Sequence, residues 1–385
     1  MGVSTAQPIN FAFRGGVVDL AQFPDFPEVA KRFKHSALVP FMFRDSVYAV
    51  PDQQPFLMMF YRADVLDELG LEVPQTWDDV LEIIPILQKR NMEIGLPFSS
   101  PPRSVSASIG DVSDTIGSLS ASGGVVTFLT FLYQRGEELF KEDGYATNLD
   151  NEAAVEAFTL WTELYELYKI PLEFDAANRF RMGEMPIVLT SYTFYNQLQV
   201  FAPELRGKWD FTLVPGTRLP DGTIDRSIPV GPSPTSAGQT GTIILSSSKQ
   251  IEAAWEFVKW WSSTEVQVAF GQQIESLLGP SGRYATANVE AMRRLPWSVE
   301  EYSKLAAQWE WVKGVPEVPG GYMIGRYLDN AFRRVVYDNE PVRDTLIEYN
   351  RMINEEIVRK RQEFGLPTTY EELDPAYRKL YWVQE

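Results

Sequence analysis

The chain contains no cysteine, which excludes disulfides and thiolate metal sites and leaves the redox compartment unreadable. A single histidine, His35, excludes a histidine-rich metal centre and an imidazole relay; beside Lys34 it reads as a surface residue. Positive charge is short. Against 52 Asp and Glu there are 35 Lys and Arg, a formal net charge of -17 with no basic block, which repels a phosphate backbone and excludes nucleic acid as the expected partner. No apolar run reaches the length of a membrane span, and the opening MGVSTAQPINFAF lacks the basic and apolar regions of a signal peptide. Phosphate-loop, dinucleotide, nucleophile-elbow and calcium-loop patterns are all missing. Neither cofactor nor metal is expected, and no internal repeat is visible. Carboxylates are plentiful, so a two-acid glycosidase stays open, although acids scattered over capped helices read as solvated faces.

What is present is material for two cores: 385 residues, 44% hydrophobic and 13% aromatic, exceed what one core normally organises. Short apolar strands alternate with capped helices, an α/β pattern. Val47 to Val50 and Leu57 to Tyr61 flank the loop Pro51-Asp-Gln-Gln-Pro55. Asp64 to Leu69 is a helix stopped at Gly70, and Thr76-Trp-Asp-Asp79 is a capping box opening the next helix, which Pro85 is expected to kink. Further helices are expected over 125–133, 152–167 and 251–261, and strands over 187–190 and 242–245. Ser262-Ser-Thr-Glu265 and Ser298-Val-Glu-Glu301 read as two more capping boxes. Residues 99–124, with nine serines and four glycines, form a long loop, and 229–241 a second Pro/Gly/Ser loop.

Aromatic residues gather beside loops: Tyr192, Phe194 and Tyr195 after a strand, Trp309 and Trp311 near a Pro-Gly segment, Tyr322 and Tyr327 after Pro319-Gly-Gly321. Flat aromatic faces stack on the C–H faces of sugar rings while amides, Arg and acids bind hydroxyls, so such loops suit a carbohydrate cleft; ordinary core packing is the alternative.

Several stretches together resemble the extracellular solute-binding proteins of the family-1, maltose-binding type, receptors of ABC sugar importers. These are Tyr48-Ala-Val-Pro51 leading to Phe60-Tyr61-Arg-Ala-Asp64, then Leu69-Gly-Leu-Glu-Val-Pro74-Gln-Thr76-Trp77, then Phe180-Arg-Met-Gly183-Glu184, then Ser246 through Ala253, Trp255 and Phe257 to Trp260, and finally Pro316-Glu-Val-Pro319. The likeness spans roughly residues 40 to 350. It departs at the front, where the family's first strands and long helix are missing before Ile9-Asn-Phe-Ala-Phe-Arg14; a leader and a lipidated cysteine, as in a lipoprotein, are expected to go with that front.

The resemblance implies a two-lobed periplasmic-binding-protein-like fold, each lobe a sheet flanked by helices. Lobe one is expected over 1–98 plus 241–290 and lobe two over 99–240 plus 291–385, with crossings near 97–100, 236–241 and 287–292. It implies a solute, an oligosaccharide or other sugar, held between the lobes by hinge closure and handed to ABC permease subunits outside the cell. The cleft would receive Gln53, Gln54 and Phe56 from lobe one, Arg103 from the Ser-rich crossing, Tyr192 and Tyr195 from lobe two, and Tyr322 and Arg326 from the final segment, with Arg14 and Gln239 beside them. Phe56, Tyr192, Tyr195 and Tyr322 would stack; Gln53, Gln54, Arg103 and Arg326 would bind hydroxyl or acid groups. A carbohydrate-active enzyme on a similar scaffold, or an interaction domain that no longer binds solute, are the alternatives.

Overall fold

The computed structural model describes residues 2–4, 6–97, 124–141, 144–231 and 239–369. Its main strands are β1 (Gly2–Ser4), β2 (Val50–Gln53), β3 (Leu57–Tyr61), β4 (Ile94–Gly95), β5 (Ile187–Ser191), β6 (Asp210–Thr212), β7 (Ile228–Val230), β8 (Thr240–Thr242) and β9 (Val312–Gly314). Its main helices are α1 (Ala6–Ala12), α2 (Trp77–Gln88), α3 (Val125–Tyr133), α4 (Glu152–Glu166), α5 (Phe194–Phe201), α6 (Ile251–Trp261), α7 (Thr264–Leu278), α8 (Val299–Trp309), α9 (Ile324–Asp338) and α10 (Val342–Glu363).

Two hydrophobic cores result. The first joins Val18 to Val50 with Ile244 to Ala287 and is roofed by the antiparallel sheet β1-β8-β2. A small cluster of Val17, Phe41, Ala49 and Ile243 extends it, with Ala12 of α1 packed on that cluster. The second core is larger and runs from Phe56 through Val230 and again from Ala285 to Ile357. It is built on the mixed sheet β4-β5-β3-β6, in which β3 lies antiparallel to β5 and β6 while β4 runs parallel to β5. Fully buried rings of Phe128, Phe158, Trp161 and Phe332 knit α3, α4 and α9 together.

Residues 57–96 therefore pack with the second core, contrary to the boundary expected at 98. The cause is β3, which is too apolar to be an edge: Leu57 to Phe60 are all buried and need a neighbour on both sides, which β5 and β6 supply. Leu96 and Val125 lie in the same core, so packing does not change across the expected first crossing, whose residues 98–100 fall outside the described residues. The chain passes between cores at 54–56, at 231–243 and at 285–292. At the second passage Gly241 pairs with Pro51, and a Cβ there would stand 2.7 Å from the Phe41 ring and 3.0 Å from Ala49.

Local chemistry explains the element ends. The Thr76 hydroxyl accepts the Asp79 N–H at 3.2 Å and the Asp79 carboxylate accepts the Thr76 N–H at 2.9 Å, closing the expected capping box of α2. Gly70 ends the preceding helix in the left-handed region at φ 65°. Ser298 and Glu301 close a second box on α8. The box expected at Ser262 does not form: Ser263 caps α7 in position only, and its hydroxyl donates back to the Trp260 carbonyl at 2.7 Å. Pro85 is accommodated inside an unbroken α2. Tyr192 and Thr193 form a short turn after β5, while Phe194 and Tyr195 already belong to α5.

Thr76→Ala removes one capping bond while leaving Asp79 without its partner hydroxyl. It is expected to cost about 1 kcal/mol, seen as a lower midpoint in thermal or urea unfolding followed by circular dichroism; an unchanged midpoint would show that tertiary packing alone holds this turn.

Candidate functional site

The passage at 52–56 is the best-tied segment between the cores. Its backbone runs beside the third passage, with the Gln54 N–H donating to the Ala285 carbonyl at 3.1 Å and the Ala287 N–H to the Asp52 carbonyl at 3.0 Å. The Trp261 indole N–H donates to Asp52 Oδ1 at 2.7 Å. Burial pushes the Asp52 carboxyl up, opposed by Tyr284 and Trp261.

Several expected site residues lie here. Gln54 is fully buried, accepts the Trp309 indole N–H at 2.8 Å and donates to the Ser36 hydroxyl at 3.4 Å. Phe56 is fully buried too, its ring 4.8 Å from Tyr192 and 5.9 Å from Trp309. Tyr192 is buried, its hydroxyl lacking a hydrogen-bond partner among the described residues, and burial drives that phenol's pKa upward. Gln53 is half-buried and sits with Asp52 and Tyr192 around the Tyr284 hydroxyl, which has no well-aligned bond of its own. These four form a girdle around the passage rather than a solute-facing wall.

The others lie elsewhere. Tyr195 donates its hydroxyl to Glu301 and its ring carries Arg283 at 5.3 Å, on the flank of the second sheet. Gln239 is fully buried and donates to the Ala37 carbonyl at 2.8 Å. Arg326 is exposed on α9, and Arg103 falls outside the described residues. Of the nine that are described, only Arg14 and Tyr322 line the same one of the cavities described below.

Arg14 and Tyr322 do meet. A cavity of about 200 Å³ is lined by Asn10, Arg14, Gly320, Tyr322, Lys360 and Phe364. Asn10 and Arg14 come from α1 and its exit, beside the first core; the other four come from the turn before α9 and the end of α10, on the second. Phe13 stacks on Phe364 at 5.1 Å, and the Arg14 guanidinium lies 5.4 Å over the same ring while donating to the Asn10 carbonyl at 2.8 Å. Tyr322 is 44% exposed and its hydroxyl reaches Glu356 at 3.4 Å. Gly320 turns the chain at φ 86°, so close to α10 that a Cβ would stand 3.2 Å from the Glu356 carbonyl oxygen.

Behind this turn sits Glu317, a residue that sequence alone did not single out. It is 2% exposed, and neither carboxylate oxygen makes a well-formed hydrogen bond. Burial holds its pKa well above the ordinary value, with the Asn10 amide opposing. Gly321 packs against it, a Cβ there standing 3.1 Å from Glu317 Oε1; on α10, Arg359 pairs with Glu356 at 2.6 Å and Lys360 with Glu363 at 2.5 Å.

A model of bacterial extracellular solute-binding proteins matches residues 4–296. The chain belongs to that family. Among solved structures, the sugar-binding protein MalE of Xanthomonas citri is 17% identical, covering 95% of this chain and 85% of its own, with a TM-score of 0.71. An ABC transporter solute-binding protein of Thermotoga lettingae bound with α-D-tagatose is 15% identical over 92% and 84%, at 0.68. An ABC substrate-binding protein of Listeria monocytogenes in complex with cycloalternan is 17% identical over 95% and 84%, at 0.66. At such identities the likeness is one of fold, the two-lobed α/β fold of sugar-binding proteins. In this solute-binding protein four of the six residues that line the cavity lie beyond residue 296, where the family match ends. Among the described residues no cluster of acids, His or Cys could hold a metal, and no helix is long and apolar enough to cross a membrane.

Glu317 has a measurable signature. Below the ordinary glutamate pKa, about 4.3, both folded and unfolded chains keep the proton. As pH rises the unfolded chain releases it first, so stability falls until the folded carboxyl also ionises. Glu317→Gln should therefore flatten the decline in melting temperature from mildly acidic to neutral pH and raise the neutral-pH value. Parallel melting curves for the two proteins across that range would refute it.

Proposed function

We propose that this solute-binding protein captures a sugar or oligosaccharide between its two cores and delivers it to the membrane subunits of an ABC importer, working outside the cell. The observation that supports this most is the cavity shared by Arg14 and Tyr322, where accessible aromatic, cationic and amide groups from both cores face a common space. Tyr322 and Phe364 supply the faces on which a sugar ring stacks, and Asn10, Arg14 and Lys360 supply hydroxyl partners. The solutes named for the Thermotoga and Listeria proteins are sugars, which agrees with that chemistry.

Binding without turnover fits the charges around the cavity. Glu356 and Glu363 are held by Arg359 and Lys360, and Glu317 is sealed beneath the turn, so no free pair of acids is poised across the space as a glycosidase requires. On this reading lobe one comprises the described residues up to 54 with 243–287, lobe two comprises the described residues of 56–231 with 292–363, and the passages at 54–56 and 285–292 bend when the lobes close.

Incubation with a panel of neutral oligosaccharides, followed by thermal shift and product analysis, tests the reading. A true solute at a hundredfold its Kd should add about 2.7 kcal/mol of stability with no product formed. Arg14→Ala and Tyr322→Ala should each weaken binding about tenfold, or roughly 1.4 kcal/mol. Product formation, or affinity unchanged in both variants, would overturn it.

A further inference from the structure

A second cavity, of about 190 Å³, opens on the outer flank of the second sheet, between α5, the 202–211 segment and the start of α8. It shares no lining residue with the Arg14–Tyr322 cavity. Its wall is aromatic and stiff. Trp209 is half-buried, its ring 5.5 Å from Tyr195 in an edge contact and 6.0 Å from Phe60. Phe211, fully buried, closes the base.

The polar groups decide what such a space accepts. Asp210 already receives the Lys304 ammonium at 2.6 Å, and Glu301 receives the Tyr195 hydroxyl and the Ser298 N–H. Burial raises the Glu301 pKa, but those bonds outweigh it and leave the carboxyl below its ordinary value, so it stays an acceptor. At the rim the Arg206 guanidinium and the Gln199 amide make no side-chain hydrogen bond or ion pair among the described residues. A cation would meet Arg206, and an anion would meet two carboxylates. A neutral ring carrying hydroxyls meets donors and acceptors at once, with an indole face for its C–H groups. The volume lies below the roughly 300 Å³ at which drug-sized sites begin, which suits a single ring.

We propose that this flank cavity is a second carbohydrate site, taking one neutral pyranose, as a free ring or as the end of a longer saccharide, independently of the cavity between the cores. It does not require the inter-core cavity to bind sugar, and the two stand or fall separately.

The test uses the full chain and methyl pyranosides of glucose, galactose and mannose, followed by NMR of the indole N–H signals, with Trp209 assigned through Trp209→Phe. At least one pyranoside should shift the Trp209 signal in a saturable way. The double variant Arg206→Ala with Gln199→Ala, altered only at the rim and checked for native circular dichroism, should weaken that response about tenfold. Arg14→Ala should leave it intact. No saturable shift with any of the three sugars overturns the proposal, as does a shift that survives the rim variant or disappears with Arg14→Ala.

Discussion

The pairing of two backbone segments, 52–54 against 285–287, is the constraint on which the rest depends. Through it the first and third passages between the cores are hydrogen-bonded to one another, so the cores cannot slide without breaking buried amide bonds, each of which is costly to leave unmade. The side chains on this pair extend the tie into both halves: Trp261 reaches Asp52 from the first core, and Trp309 reaches Gln54 from the second. The closure proposed above would bend about this axis. The contacts farther out include Lys34 with Glu310 at 2.6 Å and the Phe13–Phe364 stack at 5.1 Å.

Charge follows the same division of labour. The excess of acid defines no partner by itself, and many acids among the described residues sit in short-range pairs with Arg or Lys, as Glu356 does with Arg359 and Asp210 with Lys304. Glu317 is buried, and desolvation raises its pKa as it does that of Asp52. The turn beside Glu317 lies close against α10: a Cβ at Gly320 would stand 3.2 Å from the Glu356 carbonyl oxygen, and one at Gly321 3.1 Å from Glu317 Oε1.

Much of the local architecture was legible in the sequence because its causes are local. A hydroxyl and a carboxylate three residues apart cap α2 and α8 wherever those helices are, and the apolar run at 187–190 became β5. The failure at Ser262 is equally local: α6 ends so close to α7 that the serine hydroxyls are drawn back to its carbonyls. The site was less legible. Phe56 and Tyr192 stand beside loops as a stacking platform would, yet whether a ring faces water depends on Trp309 and Trp297, far along the chain. Arg14 and Tyr322 converge only through the fold. Trp209 and Arg206 carry no pattern at all, and a lone glutamate between prolines reads as surface. The family resemblance supplied the two-lobed plan but drew its first boundary too late, because the hydrophobicity of β3 does not say which core will claim it.

Gly241 lies in the middle passage, where Phe41 and Ala49 leave no room for even a methyl group. Among descendants of this chain a residue other than glycine at 241 should be accompanied by a smaller one at 41, so that the two positions drift together or not at all.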